Sequence, residues 1–201
     1  MAETGIDGSG TPWFAAVDVH YPPSGGALAA LVLAGDRTFS QVLTQKTAFV
    51  AQVAAYVPGQ FFRRELPPLR AVLAGVTGIE LLVIDGYVHL TPDGTPGLGA
   101  FVHTELGVPV VGVAKTFFAT ATHAIPVTRG HSARPLYVTA AGMPAAEAAE
   151  LIRQMSGRFR IPDALRHVDA LARGRKTAIA VAPPRRKGGA DWIREARDRS
   201  G

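Results

Sequence analysis

The stretch Leu81-Leu82-Val83-Ile84-Asp85-Gly86 decides how this sequence folds. Four consecutive apolar residues followed by a turn are typical of a central strand that is covered on both faces. Asp85 and Gly86 end the strand with the residue types that favour a turn. The stretch therefore predicts a buried sheet strand.

The segments on either side of this strand predict the rest of the sheet. Residues 13–19, 27–33 and part of 39–49 are predicted as three strands joined by short turns, which favours an antiparallel meander. Helices are predicted at 64–74, 98–106, 144–155 and 162–172, and further strands at 108–113 and 136–139. Pro67 and Pro68 fit the first turn of the first helix. The fold class is α/β, a mixed five-stranded sheet of an antiparallel meander plus parallel strands, flanked by helices.

Composition limits the class of protein. The 201 residues are 47% hydrophobic and 18% charged, which excludes a disordered chain and is enough for one core. We expect a single domain over 1–174 and a basic, loose C-terminal tail over 175–201. The sequence has no cysteine, which excludes disulfides, zinc–thiolate sites and cysteine nucleophiles. With no secretory signal and no membrane span predicted, we expect a cytoplasmic monomer.

The charge is unevenly distributed along the chain. Residues 1–150 carry 8 Lys+Arg against 11 Asp+Glu, whereas residues 151–201 carry 13 against 5. Most of the basic residues are arginines, whose planar guanidinium suits phosphate. The basic end predicts a polyanionic partner, nucleic acid first, although a merely solvated basic tail fits the charge equally well.

Two acids stand in apolar strands. Asp18 interrupts Ala15-Ala16-Val17-Asp18-Val19, and Asp85 ends the central strand. A carboxylate in a buried strand is costly unless it is paired or binds a metal, so two of them predict a divalent-cation site. Alternatively, each is a capping or turn-forming aspartate.

A third acid, Glu65, follows the turn Tyr56-Val57-Pro58-Gly59 and two phenylalanines. An aromatic residue on a rigid turn can enter a gap in a nucleic-acid duplex. The alternative is an ordinary helix start, at which Glu65 complements the helix dipole.

Seven short motifs occur in a fixed order between residues 14 and 172. They are Val17-Asp18-Val19-His20-Tyr21, Tyr56-Val57-Pro58-Gly59 through Arg64-Glu65, Val83-Ile84-Asp85-Gly86, Gly97-Leu98-Gly99, Val111-Gly112-Val113-Ala114-Lys115, Arg134-Pro135-Leu136-Tyr137-Val138-Thr139, and the segment from Arg160-Ile161-Pro162 to Asp169. The ordered set resembles the endonuclease V family.

That resemblance implies a ribonuclease H-like fold and a metal-dependent hydrolase. The family cleaves the second phosphodiester bond 3′ to a deaminated purine, inosine or deoxyinosine, in DNA or RNA, and leaves 5′-phosphate ends. The implied cofactor is Mg²⁺ or Mn²⁺, and the implied role is nucleic-acid repair. Carried over by resemblance, the catalytic residues are Asp18, Glu65, Asp85, Asp169 and Lys115, of which Asp18, Asp85 and Glu65 bind metal.

The same resemblance implies the nucleic-acid contacts. Tyr56, Val57, Pro58 and Gly59 match the wedge beside the flipped base, and Gly86, Gly97, Leu98 and Gly99 match a close backbone approach to it. The family usually has Asp-Gly-His/Gln-Gly-x-x-His-Pro-Arg-Gly-x-Gly here, whereas residues 85–99 lack His-Pro-Arg and are three residues longer.

Three other functions fit the residues. One is a ribonuclease H-like nuclease without inosine selectivity, and another is a non-catalytic nucleic-acid-binding protein. The third is a plain α/β domain with scattered acids. The carboxylates separate the nucleases from the binding protein, because only the nucleases need them.

Overall fold

The structure is a computed structural model of the chain, and it describes residues 13–55, 57 and 61–175. The strands are β1 Trp13–His20, β2 Ala27–Ala34, β3 Val42–Val50, β4 Ile79–Asp85, β5 Val110–Ala114, β6 Ile125–Val127 and β7 Leu136–Ala141. The helices are α1 Phe61–Leu73, α2 Leu98–Leu106, α3 Ala145–Gln154 and α4 Asp163–Ala172. No helix within these ranges is both long and apolar enough to cross a bilayer.

All the strands belong to one mixed sheet, in the order β3-β2-β1-β4-β5-β7-β6. The antiparallel meander β1–β3 is confirmed, and β1, β4 and β5 run parallel to one another as predicted. The expected count of five strands is wrong, because the sheet has seven. β7 was predicted as a strand at 136–139, whereas β6 was not predicted. β6 has only three residues and contains Pro126, which is tolerated because β6 is an edge strand. Such a short segment has no strand-like alternation to detect.

Helix α1 starts earlier than predicted, at Phe61 rather than at residue 64. Pro67 and Pro68 therefore lie in its second turn, not in its first. Because Pro68 has no N–H to donate, the carbonyl of Arg64 loses its usual helical partner. The Tyr21 hydroxyl lies 3.1 Å from that carbonyl oxygen and can satisfy it.

The sheet divides the core into two layers. Along β1, Ala15 and Val17 pack with the helix α1 and α2 residues, whereas Ala16 packs with the α3 and α4 residues. Successive strand side chains alternate between faces, so Asp18 belongs to the face of Ala16, which α4 covers. The same alternation places Asp85 on the face of Val83. Both acids therefore meet the α4 layer at one end of the sheet.

Candidate active site

Strand register brings Asp18, Asp85 and Lys115 together. Val17 is paired with Ile84 across the parallel β1–β4 ladder, so the next residues, Asp18 and Asp85, are level with each other. Asp85 is in turn paired with Val113, and Lys115 follows it by two residues on the same face. The three side chains line one cavity, which Ile161 and residues of α4 close from above.

Lys115 neutralises part of this acidic group. Its Nζ lies 2.5 Å from Asp85 Oδ2, and both side chains remain more than a third exposed. Burial would lower the pKa of Lys115, but Asp85, Asp18 and Asp169 outweigh burial and raise it. The ammonium therefore stays charged at the mouth of the cavity.

Asp18 is the acid most affected by its surroundings. Burial, and after it repulsion from Asp85, raises its pKa from 3.8 to about 7, although Lys115 and the Val19 N–H oppose the rise. The Val19 amide donates to Asp18 Oδ1 at 2.8 Å. At neutral pH this carboxyl is poised between its two charge states.

Glu65 approaches the same acids from α1. It is only 6% exposed, and the Tyr21 hydroxyl lies 2.8 Å from its Oε1. Burial raises the pKa of Glu65 to about 7, Tyr21 opposes the rise, and Asp18 and Asp85 add to it. Glu65 is therefore close enough to Asp18 and Asp85 for their negative charges to repel its own.

Asp169 joins from α4, where it follows the cavity-lining Val168. The Arg173 Nε donates to its two carboxylate oxygens at 3.0 and 3.1 Å, one helical turn away. Asp169 also contributes to the pKa rise of both Asp18 and Lys115. Asp18, Asp85 and Lys115 thus line one cavity, and Glu65 and Asp169 act on them electrostatically from helices α1 and α4.

The arrangement suits a cation, although the side chains do not close around one. Within the described ranges, no group of three or more His, Asp or Glu side chains forms a ready metal-holding cluster. The charges nevertheless fit a divalent ion, because burial and repulsion raise the pKa values of the half-buried Asp18 and the buried Glu65 to about 7. A hard cation with oxygen ligands would relieve that repulsion.

The residues predicted to approach a flipped base have a structural explanation. Gly97, Leu98 and Gly99 are buried where α2 begins, so they do not present an exposed contact surface. A Cβ on Gly97 would lie 2.6 Å from the Tyr87 carbonyl oxygen, and one on Gly99 would lie 2.7 Å from Val88. Gly86 has a φ of +128°, which favours glycine, and open space around it. These residues let the loop 86–97 pack against α2.

That loop is also tied to the segment after Lys115. The Tyr87 hydroxyl donates to the Thr116 carbonyl at 2.8 Å and accepts from the Phe118 N–H at 3.0 Å. Its neighbour Val88 is fully buried, and the Val88 N–H donates to Thr139 Oγ1 at 2.8 Å. The segment that follows Lys115 therefore holds the loop 86–97 in place.

Of the four predicted wedge residues, only Val57 is among the described residues. Val57 is 43% exposed, as a wedge residue needs to be. Tyr56, Pro58 and Gly59 lie outside the described residues. Most of the basic tail, from residue 176 onward, lies outside them as well.

Three positioning contacts were missed by the sequence analysis. Tyr21 bonds Glu65, Arg173 bonds Asp169, and Arg160 donates to the carbonyls of Lys115 and Pro135 at 2.5 and 2.7 Å. Only the Asp169–Arg173 pair has a sequence signal, since an acid and an arginine four residues apart share a helix face. The other two contacts join residues distant in sequence.

The sequence of this chain is similar to that of a known protein family. The family model described as endonuclease V matches residues 6–170. Endonuclease V from Pyrococcus horikoshii is 29% identical over 172 residues, which cover 84% of this chain and 77% of that protein.

Solved structures agree in fold. The crystal structure of endonuclease V from Streptomyces avermitilis is 25% identical, with a TM-score of 0.68 over 82% of this chain and 81% of that one. A Ciona intestinalis endonuclease V, in complex with a 23mer DNA containing an inosine followed by a ribo-adenosine, has a TM-score of 0.67 at 14% identity. It covers 81% of this chain and 84% of its own. The predicted ribonuclease H-like fold is confirmed.

Proposed function

The chain belongs to the endonuclease V family of hydrolytic endonucleases, and from that premise we propose how its strand-end acids act on nucleic acid. It hydrolyses a phosphodiester bond 3′ to a deaminated purine. We also propose which residues act in this reaction, which cation they bind and which residues contact the substrate. The bond cut is the second one 3′ to the inosine, and the products carry 5′-phosphate ends.

One observation supports this assignment above all. Asp18, Asp85 and Lys115 line one cavity at the carboxyl ends of three adjacent parallel strands. A plain α/β domain has no reason to place mutually repelling carboxyls side by side in half-buried positions, since desolvation and repulsion make each costly to ionise. The raised pKa values of Asp18 and Glu65 record that cost.

Asp18, Asp85 and Glu65 would hold Mg²⁺ or Mn²⁺ through their carboxylate oxygens. A divalent cation bound there activates water and offsets charge on the phosphate. Lys115 places its ammonium at the cavity mouth, where it attracts the scissile phosphate. Asp169, oriented by Arg173, adds a further carboxylate on the α4 side.

Substrate binding would use surfaces beside this cavity. The Tyr56-Val57-Pro58-Gly59 turn would fill the gap left by a flipped base, and its exposed Val57 is consistent with that. Gly86, Gly97, Leu98 and Gly99 would shape the base pocket indirectly, by holding the loop 86–97 in place. The basic tail would add phosphate affinity that weakens with salt. We further propose that residues 1–174 form one domain, and that the protein is a cytoplasmic monomer.

The test is a cleavage assay on matched DNA and RNA oligonucleotides that contain one inosine or none, with Mg²⁺ or Mn²⁺. We expect one cut, at the second phosphodiester bond 3′ to the inosine, with a 5′-phosphate on the downstream fragment. No cut with either cation, in the presence of intact binding, would contradict the catalytic assignment.

A second candidate function is a nuclease of the same fold without inosine selectivity. The rebuilt loop 86–97 favours it, because this loop lacks the family's His-Pro-Arg and is three residues longer. Equal cleavage of inosine-containing and inosine-free strands in the same assay would support this candidate and retain the metal site.

A further inference from the structure

A groove beside the catalytic cavity combines an exposed aromatic ring with arginines. Phe159 is 46% exposed, and the guanidinium groups of Arg158 and Arg166 lie 5.0 and 4.6 Å from its ring centroid. Both arginines are exposed, as is His131 on the opposite wall. Ile161 is the only other apolar residue in the described lining of the groove, so the ring lies mainly among charged and polar side chains.

The groove lies next to the catalytic cavity, because Ile161 lines both of them. Arg160, also in the groove wall, donates to the carbonyl of Lys115 and so holds the groove against the end of β5. The groove therefore adjoins the residue that would meet the scissile phosphate.

The charge of the groove favours a polyanion. Its described lining contains three arginines and a histidine but no acid. Arg166 is paired with Asp163, whose Oδ1 lies 3.4 Å from the Arg166 Nη1, but this is a long and exposed contact of little strength. Arg158 and Arg166 are therefore available for phosphate.

We propose that the Arg158–Phe159–Arg166 groove binds the single strand that flanks the cleavage site, with an unpaired base stacked at Phe159 and phosphates on the two arginines. This rests on the proposed function, because it takes the substrate of the catalytic cavity to be nucleic acid. Single-strand-binding grooves combine aromatic stacking with a basic track for the backbone in this way. Both guanidinium groups lie over the ring, yet Phe159 remains 46% exposed, which leaves surface for a base.

The test measures how strand length affects binding by the full-length protein. Fluorescein-labelled single strands with one inosine carry either short flanks or about 15 extra nucleotides on the 5′ or the 3′ side, a length that covers one binding groove. Binding is followed by fluorescence anisotropy without divalent cation, and cleavage is followed separately with Mn²⁺. We expect one of the two extensions to tighten binding, and Phe159→Ala to reduce that gain roughly tenfold, as the loss of one stacked base predicts.

Two further variants separate stacking from folding. Phe159→Trp retains a stacking surface and should restore the gain, whereas Phe159→Leu, apolar but not aromatic, should not. Arg158→Ala combined with Arg166→Ala should lower the slope of log affinity against log salt by about 1.4, because each phosphate contact on a single strand contributes about 0.7. The matched controls, Phe49→Ala and the double variant Arg37→Ala/Arg70→Ala, remove a still more exposed ring and two ion-paired arginines elsewhere, and should leave the gain unchanged.

The outcomes distinguish this proposal from the proposed function. If neither extension tightens binding, or if Phe159→Ala retains the whole gain, the groove proposal is wrong even when inosine strands are cleaved. If the gain depends on Phe159 but no strand is cleaved, the groove is supported and the catalytic assignment fails. For a strand-positioning groove, Phe159→Ala raises KM for the extended strand and leaves kcat unchanged. A fall in kcat with KM unchanged would contradict it.

Discussion

The ends of the central strands and the loop that follows β4 are adjacent, yet they are built on different principles. At the strand ends, sheet register alone places Asp18 level with Asp85, and the next strand adds Lys115. In the loop 86–97, position depends on glycines, on the buried Val88 and on the Tyr87 hydroxyl. The first arrangement is inherited with the fold, whereas the second depends on local residues.

This difference indicates how the two halves of the activity can separate. Hydrolysis needs charges at fixed positions, which a parallel sheet supplies with little dependence on loop sequence. Selection of a base needs a shaped pocket, and the loop that would form it departs from the family pattern. Variants at the strand ends should therefore alter the rate of hydrolysis, and variants in the loop 86–97 should alter the selection of the base.

The largest effect is expected from Asp85→Asn. It removes a charge from the centre of the cavity, and cleavage should fall roughly 10³-fold, the loss expected when several kcal/mol of cation-dependent stabilisation disappear. Single-turnover cleavage of an inosine strand measures it. The control is Glu80→Gln, which removes an exposed acid from the same strand and should cleave like the wild type. Normal cleavage by Asp85→Asn would refute the strand-end site.

Lys115→Met should have the next largest effect. The substitution removes the ammonium that lies beside Asp85, so the negative charge of the phosphate is no longer compensated. We expect kcat to fall about 10²-fold, as when one electrostatic donor is lost from an active site. Lys115→Arg, which retains the charge, should recover part of that rate. If Lys115→Met and Lys115→Arg are equally impaired, the residue supports structure rather than charge.

Stability should depend on pH through Asp18 and Glu65. Their pKa values rise to about 7 on folding, so the folded protein binds these protons more tightly than the unfolded chain does. Their contribution to stability is therefore complete below about pH 4 and is lost as the pH rises through about 7. Without divalent cation, Asp18→Asn should be more stable than the wild type at pH 8, by about 2 kcal/mol, and should lose that advantage in acid.

Denaturant unfolding at a series of pH values measures this difference. Glu80→Gln should follow the wild-type curve throughout. A constant difference between Asp18→Asn and the wild type from pH 4 to 8 would show that Asp18 is not held in a strained, buried state.

Tyr87→Phe probes the loop with a smaller effect. It removes the hydroxyl that joins the loop to Thr116 and Phe118, at a cost of about 1 kcal/mol, or roughly fivefold. We expect that loss in the preference for inosine over adenosine, measured by competition between the two strands, and not in the rate on inosine-free strands. An unchanged preference would show that this tie does not shape the base pocket.

Tyr21→Phe should have the smallest effect. It removes the hydroxyl beside Glu65 and the Arg64 carbonyl, and cleavage should fall only about two- to fivefold, because the ring keeps its packing. The activity against pH profile should shift to higher pH, since the hydroxyl lowers the pKa of Glu65 and its removal raises it. A profile identical to that of the wild type would show that Tyr21 only completes the helix.

The strands and helices could largely be predicted from sequence because their patterns are local. Helix α2 matched its predicted range, and Asp18 and Asp85 stood out because apolar strands rarely contain acids. Their alignment could not be predicted, since register depends on pairing between Val17 and Ile84, which are 67 residues apart in the chain. The same limit applies to Arg160 and to Tyr21, which bonds the Arg64 carbonyl that Pro68 of helix α1 leaves without a partner.

The cavity and the groove show a similar division. The basic character of residues 151–201 was visible in composition. The position of Phe159 between two arginines was not, because Arg166 reaches it from helix α4 across an intervening loop.

The division between chemistry at the strand ends and selectivity in the loop has one direct test. Single-turnover rates are measured for the wild type and Asp18→Asn on two strands that differ only in inosine against adenosine. The account predicts that Asp18→Asn slows both strands by the same large factor, so that the ratio of the two rates stays at its wild-type value. A variant that keeps its rate on the inosine-free strand while the ratio collapses would place Asp18 in base selection and contradict the account.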